Sequence, residues 1–280
     1  MNKLISQLQR LYFLPDQQGS WLAADQPAVL GRLPEEALSG SLHGAGRLAL
    51  DPVSPSGLAR SLVVEFRRAA DWPQVAELYQ ALQEELELPA PTISVSGRSG
   101  YRLWLSLAEA RPLAEIRRFL DALQQHYLAA IPEAGWRTHP ASPPVPLPLA
   151  PALNAATGKW SAFIDPSMGE MFVSEPGLEM APNPDRQADL LSRIKSIASQ
   201  DFQRALVKLE GKAALAEASE TASQPADKSN QANPAGHAGS HYSDPQSFLL
   251  AVINDPAAST RDRIEAAKAL LPYFGQAPVR

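Results

Sequence analysis

The chain has 280 residues, 45% of them hydrophobic and 20% charged, with a net charge of −5 and an isoelectric point near 5.6. That length suits one domain of about 200 residues with an appendage, and the acidic total supplies no global field for polyanions, so contact with nucleic acid has to come from a local basic patch. The absence of cysteine removes disulfides, thiolate nucleophiles and thiolate zinc sites together, while an N-terminus interrupted by Gln and charge, and the lack of a bilayer-length apolar run, predict a cytoplasmic protein without membrane contact.

In chain order, Leu4, Leu8, Leu11 and Tyr12 share one face and predict a short helix, after which the chain is turn-rich to about residue 45. Residues 61–66 (SLVVEF) are β-branched and apolar and predict a buried strand. Residues 73–88 place Val75, Leu78, Tyr79, Leu82 and Leu86 on one helical face, with Pro73 suited to the first turn. Residues 92–95 (TISV) and 101–107 read as a hairpin across the turn 96–100 (SGRSG). In its second strand Tyr101, Leu103, Leu105 and Leu107 alternate with Arg102, Trp104 and Ser106, the pattern of a half-buried strand. On the polar face Arg102 and Trp104 would stack as a surface cation–π pair or form a platform for a base.

Residues 112–131 predict a further amphipathic helix. In the proline-rich stretch 140–151, Val145, Leu147 and Leu149 alternate with prolines, which predicts an extended edge segment packed on the domain. Residues 161–164 and 170–173 flank DPSMG as a second hairpin, and 185–209 reads as one long helix closing the body. The order of elements predicts an α+β fold, a mixed or antiparallel sheet flanked by helices, and argues against a doubly wound dinucleotide fold.

Residues 211–242 hold no Val, Ile, Phe or Trp, and their apolar content is nearly all alanine. Such a segment cannot bury enough surface to offset its ordering entropy and is expected to be a flexible linker. It separates a body, 1–210, from a small helical module, 243–280. There Pro245 opens a helix carrying Phe248, Leu249, Val252 and Ile253, and Thr260 caps a second with Ile264, Ala267, Leu270 and Leu271. Two short helices bury little area alone, so they are expected to dock, self-associate or recruit a partner.

Three segments carry a resemblance: LVVEFRR at 62–68, SGRSGYRLWLSL at 96–107 and PLPLAPALNAATGKWSAFIDP at 146–166. Together they resemble the archaeo-eukaryotic primase superfamily, in particular its plasmid, phage and mobile-element branch. The resemblance spans roughly residues 45–200 and implies a primase-polymerase-like domain with an RRM-like core. It also implies a strand ending in an acid–x–acid pair that holds two divalent metals, and a Ser/Gly turn leading into a Ser-x-His-like phosphate motif. A Leu-Pro-rich segment followed by Asn/His-x-x-Thr-Gly is common in the mobile-element branch.

The chain departs from this pattern at the chemistry. Glu65 takes the first acidic position, but Arg67 takes the second, where a guanidinium repels Mg²⁺ rather than binding it. Arg102 stands where the family carries His; it can clamp phosphate but cannot shuttle protons near neutral pH. The expectation is a non-catalytic primase-like domain of a DNA-replication protein, with DNA, RNA or a nucleotide as ligand and no required cofactor. Its binding residues are expected to be Arg67, Arg68, Ser96, Gly97, Arg98, Gly100, Arg102, Trp104, Asn154, Thr157 and Lys159. The helices of 243–280 would recruit a replication partner. Two alternatives stand beside it. One is an active primase-type nucleotidyltransferase using Mg²⁺ or Mn²⁺ on Glu65 and a noncanonical carboxylate, Asp165 or Asp51. The other is an interaction scaffold without nucleic-acid binding. Each motif also has a plain reading: SGRSG as a hairpin loop, Asn154–Lys159 as a turn, Asp165 as a turn former, and Arg67 and Arg68 as solvated charges.

Overall fold

The computed structural model describes residues 2–23, 29–33, 35–222 and 268. The elements run α1 (Asn2–Tyr12), β1 (Gln18–Ala23), β2 (Val29–Arg32), α2 (Glu35–Leu42), β3 (Gly46–Leu50), β4 (Leu58–Phe66), α3 (Trp72–Glu84), β5 (Thr92–Val95) and β6 (Tyr101–Pro112). They continue with α4 (Leu113–Leu123), β7 (Trp136–His139), β8 (Leu147–Pro148), β9 (Ala152–Asn154), β10 (Lys159–Ile164), α5 (Pro184–Ser192) and α6 (Ser199–Ala222). Two sheets result, a four-stranded one in the order β2-β1-β3-β8 and a six-stranded one in the order β7-β4-β6-β5-β10-β9. Their pairings are antiparallel. This is an α+β fold of antiparallel sheets flanked by helices.

Side-chain alternation decides what each face of the large sheet carries. Leu62, Val64 and Phe66 of β4 and Leu103 and Leu105 of β6 point into one core, where they meet α3, α4 and α6 through residues such as Val75, Leu82, Ile116, Phe119 and Phe202. Val63, Trp104 and Phe163 point the other way into a second core, built with Leu4, Leu8 and Tyr12 of α1, Leu48 and Leu50 of β3, and Leu191 of α5. The small sheet lies over this second core, its own inward side formed by Trp21, Leu48 and Leu50.

β6 is therefore buried on both faces from Tyr101 to Leu107, not half-buried as its alternation predicts. The polar members of the second face are absorbed one by one. Trp104 Nε1 donates to Ser94 Oγ at 2.8 Å, Tyr12 Oη and Thr92 Oγ1 lie 2.8 Å apart, and Ser106 Oγ donates to the Leu11 carbonyl at 2.7 Å. Trp104 packs against Tyr12 and Phe163 with ring centroids 5.1 and 5.8 Å away. Pairing each buried polar atom is what lets a strand reading polar in sequence sit dry.

Three further elements differ from the sequence reading. The expected helix over 185–209 is two helices. Between them the chain runs beside β6, with Ile197 N donating to the Ser106 carbonyl at 2.7 Å and Ala108 N to the Ile197 carbonyl at 2.9 Å. Residues 170–173 are not a strand: Pro166–Phe172 form a 3₁₀ helix, and the hairpin partner of β10 is β9. α6 runs on to Ala222, so residues 211–222 continue a helix where a linker is expected. The rest of the expected linker and the C-terminal module lie outside the described residues, apart from Lys268. The chain divides after Gln224 into two units, Met1–Gln224 and Pro225–Arg280.

The proline-rich stretch supplies β8 at the edge of the small sheet, with Leu147 and Leu149 buried beneath it. Because Trp104 is fully buried in the second core, Trp104→Ala should cost about 3–5 kcal/mol of unfolding free energy, measured by urea denaturation; a loss below about 1 kcal/mol would mean that this face is not packed as described.

Candidate nucleic-acid interface

At one end of the large sheet the second core stops and charge begins. Glu65 on β4 lies opposite Arg102 on β6 and opposite Arg137 on β7, so one carboxylate is flanked by two arginines across the strands. Above them opens a cleft of about 630 Å³, walled by the sheet end, β3, the turn 96–99 and the proline-rich stretch. Six arginines line it, namely Arg47, Arg67, Arg68, Arg98, Arg102 and Arg137. Among the described residues Glu65 is its only carboxylate.

Arg102 is 7% exposed and donates to Glu65 Oε1 from Nε at 3.0 Å and from Nη2 at 2.9 Å. On the other carboxylate oxygen, His139 Nε2 lies 3.6 Å away, longer than a hydrogen bond, so the Arg102 pair is the firmer contact. His139 is 1% exposed, and neither of its ring nitrogens has a hydrogen-bond partner among the described residues. Burial pushes the Glu65 carboxyl up, but His139 and the Arg102 guanidinium outweigh it and hold the group down at about 2. Arg68 is also engaged, gripping Asp71 with Nη2 2.8 Å from Oδ1 and Nε 3.0 Å from Oδ2. Arg47, Arg67 and Arg98 are exposed and Arg137 is half-buried. Among the described residues these four make no ion pair.

The turn between β5 and β6 is shaped by Ser96, whose Oγ accepts from the backbone N–H groups of Arg98 at 3.2 Å and of Ser99 and Gly100 at 3.0 Å. That fills the hydroxyl's acceptor capacity, so Ser96 builds the turn that presents Arg98, and its O–H at the cleft wall keeps its donor. Gly97 sits at φ +70°, and a Cβ on Gly100 would fall 2.2 Å from the Phe66 carbonyl oxygen, so both glycines serve the turn's packing on β4 and β10.

The other expected site residues divide. Asn154 lines the cleft, with Oδ1 accepting from Ala156 N at 3.0 Å. Thr157 and Lys159 stand outside it: Thr157 Oγ1 donates to the Gly97 carbonyl at 2.6 Å, and Lys159 pairs with Glu175. Trp104 is no stacking platform, because it belongs to the second core, and the expected surface pair with Arg102 does not form; Arg102 turns to Glu65 instead. Asp165 caps the 166–172 helix through Ser167 and lines a separate pocket with Arg186 and Arg193. Neither it nor Asp51 lines the cleft.

A divalent metal needs several hard oxygen ligands at one point. Here the single carboxylate is ion-paired with a guanidinium and flanked by another, and among the described residues no group of three or more His, Asp or Glu side chains comes together to hold a cation. The residues present do not fit the two-metal centre that the sequence resemblance implies. Sequence reasoning missed Arg47, Arg137 and His139. Arg137 and His139 alternate within WRTH, a four-residue strand signal too short to stand out, and only its register beside β4 brings Arg137 to Glu65.

No family model matches the chain, and no curated protein matches it. Among solved structures, it is similar to the AEP domain of the cyanophage S-2L primase-polymerase, at 11% identity over 68% of this chain and 97% of that one, with a TM-score of 0.38. It is also similar to the polymerase domain of Mycobacterium tuberculosis Ligase D in complex with DNA, at 13% identity over 68% of this chain and 86% of that one, with a TM-score of 0.40.

The depressed Glu65 carboxyl sets a pH dependence. A group whose folded value is about 2 against an ordinary 4.5 stabilises the fold above pH 4.5, and that contribution is lost as pH falls toward 2. Glu65→Gln should therefore remove on the order of 3 kcal/mol of the acid-dependent loss of stability seen in the parent; unfolding free energies of the two proteins that fall in parallel between pH 5 and pH 2 would refute it.

Proposed function

We propose that this chain is a primase-like, nucleic-acid-associated replication protein that binds the sugar–phosphate backbone or a nucleotide's phosphates in the arginine cleft and does not polymerise. The observation that carries this reading is the cleft lining itself, six guanidiniums around a single carboxylate that is already paired. Arginine presents a planar fork of donors matched to phosphate oxygens, and it keeps its charge at any physiological pH. The chain's total charge is −5, so the cationic cleft is a local concentration of charge, as binding by an acidic protein requires.

The catalytic alternative has little support. Arg67 stands at the second acidic position of the motif, and neither proposed substitute carboxylate lines the cleft. The scaffold alternative calls for scattered charges, whereas Arg67, Arg98, Arg102 and Glu65 converge on one cleft. Recruitment of a second replication protein by residues 243–280 is part of the proposal and rests on their sequence alone.

Arg67→Ala and Arg98→Ala change exposed side chains that make no ion pair among the described residues, so the fold should persist. In fluorescence-anisotropy titrations with short single-stranded and double-stranded oligonucleotides, each variant should bind more weakly and lower the slope of log affinity against log salt by about one. Absence of binding by the parent protein at low salt would overturn the reading in favour of the scaffold.

A further inference from the structure

The cleft's charge balance goes further than a statement that it is basic. In a phosphate site that works through divalent ions, carboxylates hold the cations and the cations meet the phosphates. The carboxylates are then indispensable, and the positive charge is supplied from solution. In this cleft the order is reversed. Positive charge is covalently attached at six positions, and the lone carboxylate faces a guanidinium at 2.9 Å.

We infer that Arg102, positioned by Glu65, is the cleft's built-in cation, so that this site recognises a polyphosphate or nucleic-acid phosphate without a divalent metal and binds it less well when one is present. The inference rests on the nucleic-acid reading of the same cleft and specifies its chemistry.

Three features place Arg102 in this role. Arg102 is 7% exposed at the cleft floor, where removal of water strengthens its field toward an entering anion. Glu65 Oε1 accepts two of its N–H groups and the Pro148 carbonyl lies 3.4 Å from Nη1, so its plane is set before a ligand arrives. Arg137, on the opposite side of Glu65, adds a second fixed charge that makes the position hostile to a cation. Glu65 is thus a positioning residue, and its charge opposes the ligand it helps to bind. Among the described residues the cleft offers Mg²⁺ one carboxylate, already paired with Arg102, and no group of three or more carboxylate or imidazole ligands. The effect of Mg²⁺ is on the ligand, whose phosphate charge it neutralises in solution in competition with the arginines.

The test is calorimetric titration of the full chain with inorganic tripolyphosphate, in EDTA and then in excess Mg²⁺ or Mn²⁺, with a short oligonucleotide titrated in parallel. Tripolyphosphate should bind in EDTA and lose affinity severalfold when the metal is added. Glu65→Gln keeps an acceptor for Arg102 but removes the opposing charge, so it should bind tripolyphosphate more tightly than the parent in EDTA; a metal-ligating or purely structural glutamate predicts weaker or unchanged binding. Arg137→Ala, half-buried and making no ion pair among the described residues, should weaken binding in EDTA about tenfold. It serves as the second variant if Glu65→Gln lacks a cooperative thermal transition. Binding of tripolyphosphate only with Mg²⁺ or Mn²⁺, or oligonucleotide binding with no tripolyphosphate binding, overturns the inference and leaves the nucleic-acid reading standing. If neither ligand binds, both fall.

Discussion

The architecture depends on burying the central strand β6 on both faces. One face of the six-stranded sheet is sealed by α3, α4 and α6, and most of the other by α1, α5 and the small sheet. A sheet covered in this way has few places where an ionised side chain can stay hydrated. Glu65 and Arg102, paired across β4 and β6, lie where the apolar cover of the second face gives out. Their hydrogen-bonded pairing makes that edge of the core tolerable, and the space left above it becomes the cleft. Fold and site are two consequences of one boundary between dry and wet sheet surface.

Such a pair is weak evidence for net stability, since desolvating both charges offsets much of their attraction. Its value here is geometric. Glu65 fixes the plane of Arg102, and Asp71 does the same for Arg68 at the cleft rim. The remaining arginines come from distant segments: Arg47 from β3, Arg67 from the end of β4, Arg98 from the β5–β6 turn and Arg137 from β7. Four chain regions supplying like charges to one cavity is costly to the folded state through mutual repulsion. An anionic ligand in the cleft, as proposed above, would relieve that cost.

In the segment 96–102 the small and glycine residues determine shape. Ser96, Gly97 and Gly100 make the tight turn that lets β5 and β6 pair and approach β4 closely: three backbone N–H groups bond to Ser96 Oγ, and a side chain at Gly100 would meet the Phe66 carbonyl. Thr157 ties the β9–β10 turn to that loop through the Gly97 carbonyl. These residues shape the backbone around the cleft, whereas Arg67 and Arg102, beside them in the same segments, bring positive charge to its lining.

Local pattern was enough to find most of the large sheet. The apolar run SLVVEF, the hairpin of TISV with the strand after SGRSG, and the helical faces of 2–12, 73–88 and 112–131 are set by periodicity and turn residues, which act within a few positions of the chain. The arginines of the motif segments were visible for the same reason. What sequence could not decide was anything requiring a second layer. Arg102, Trp104 and Ser106 alternate like a solvent face, and only α1 and the small sheet, folded over them from the N-terminus, turn Trp104 into core and leave Arg102 at a cleft floor. Arg47, Arg137 and His139 enter the site through strand register with partners far away in sequence, a relation that no local pattern encodes. Sequence determined which strands exist and where charge is carried along them; tertiary structure decided which side of each strand is wet, because that depends on what is packed above it.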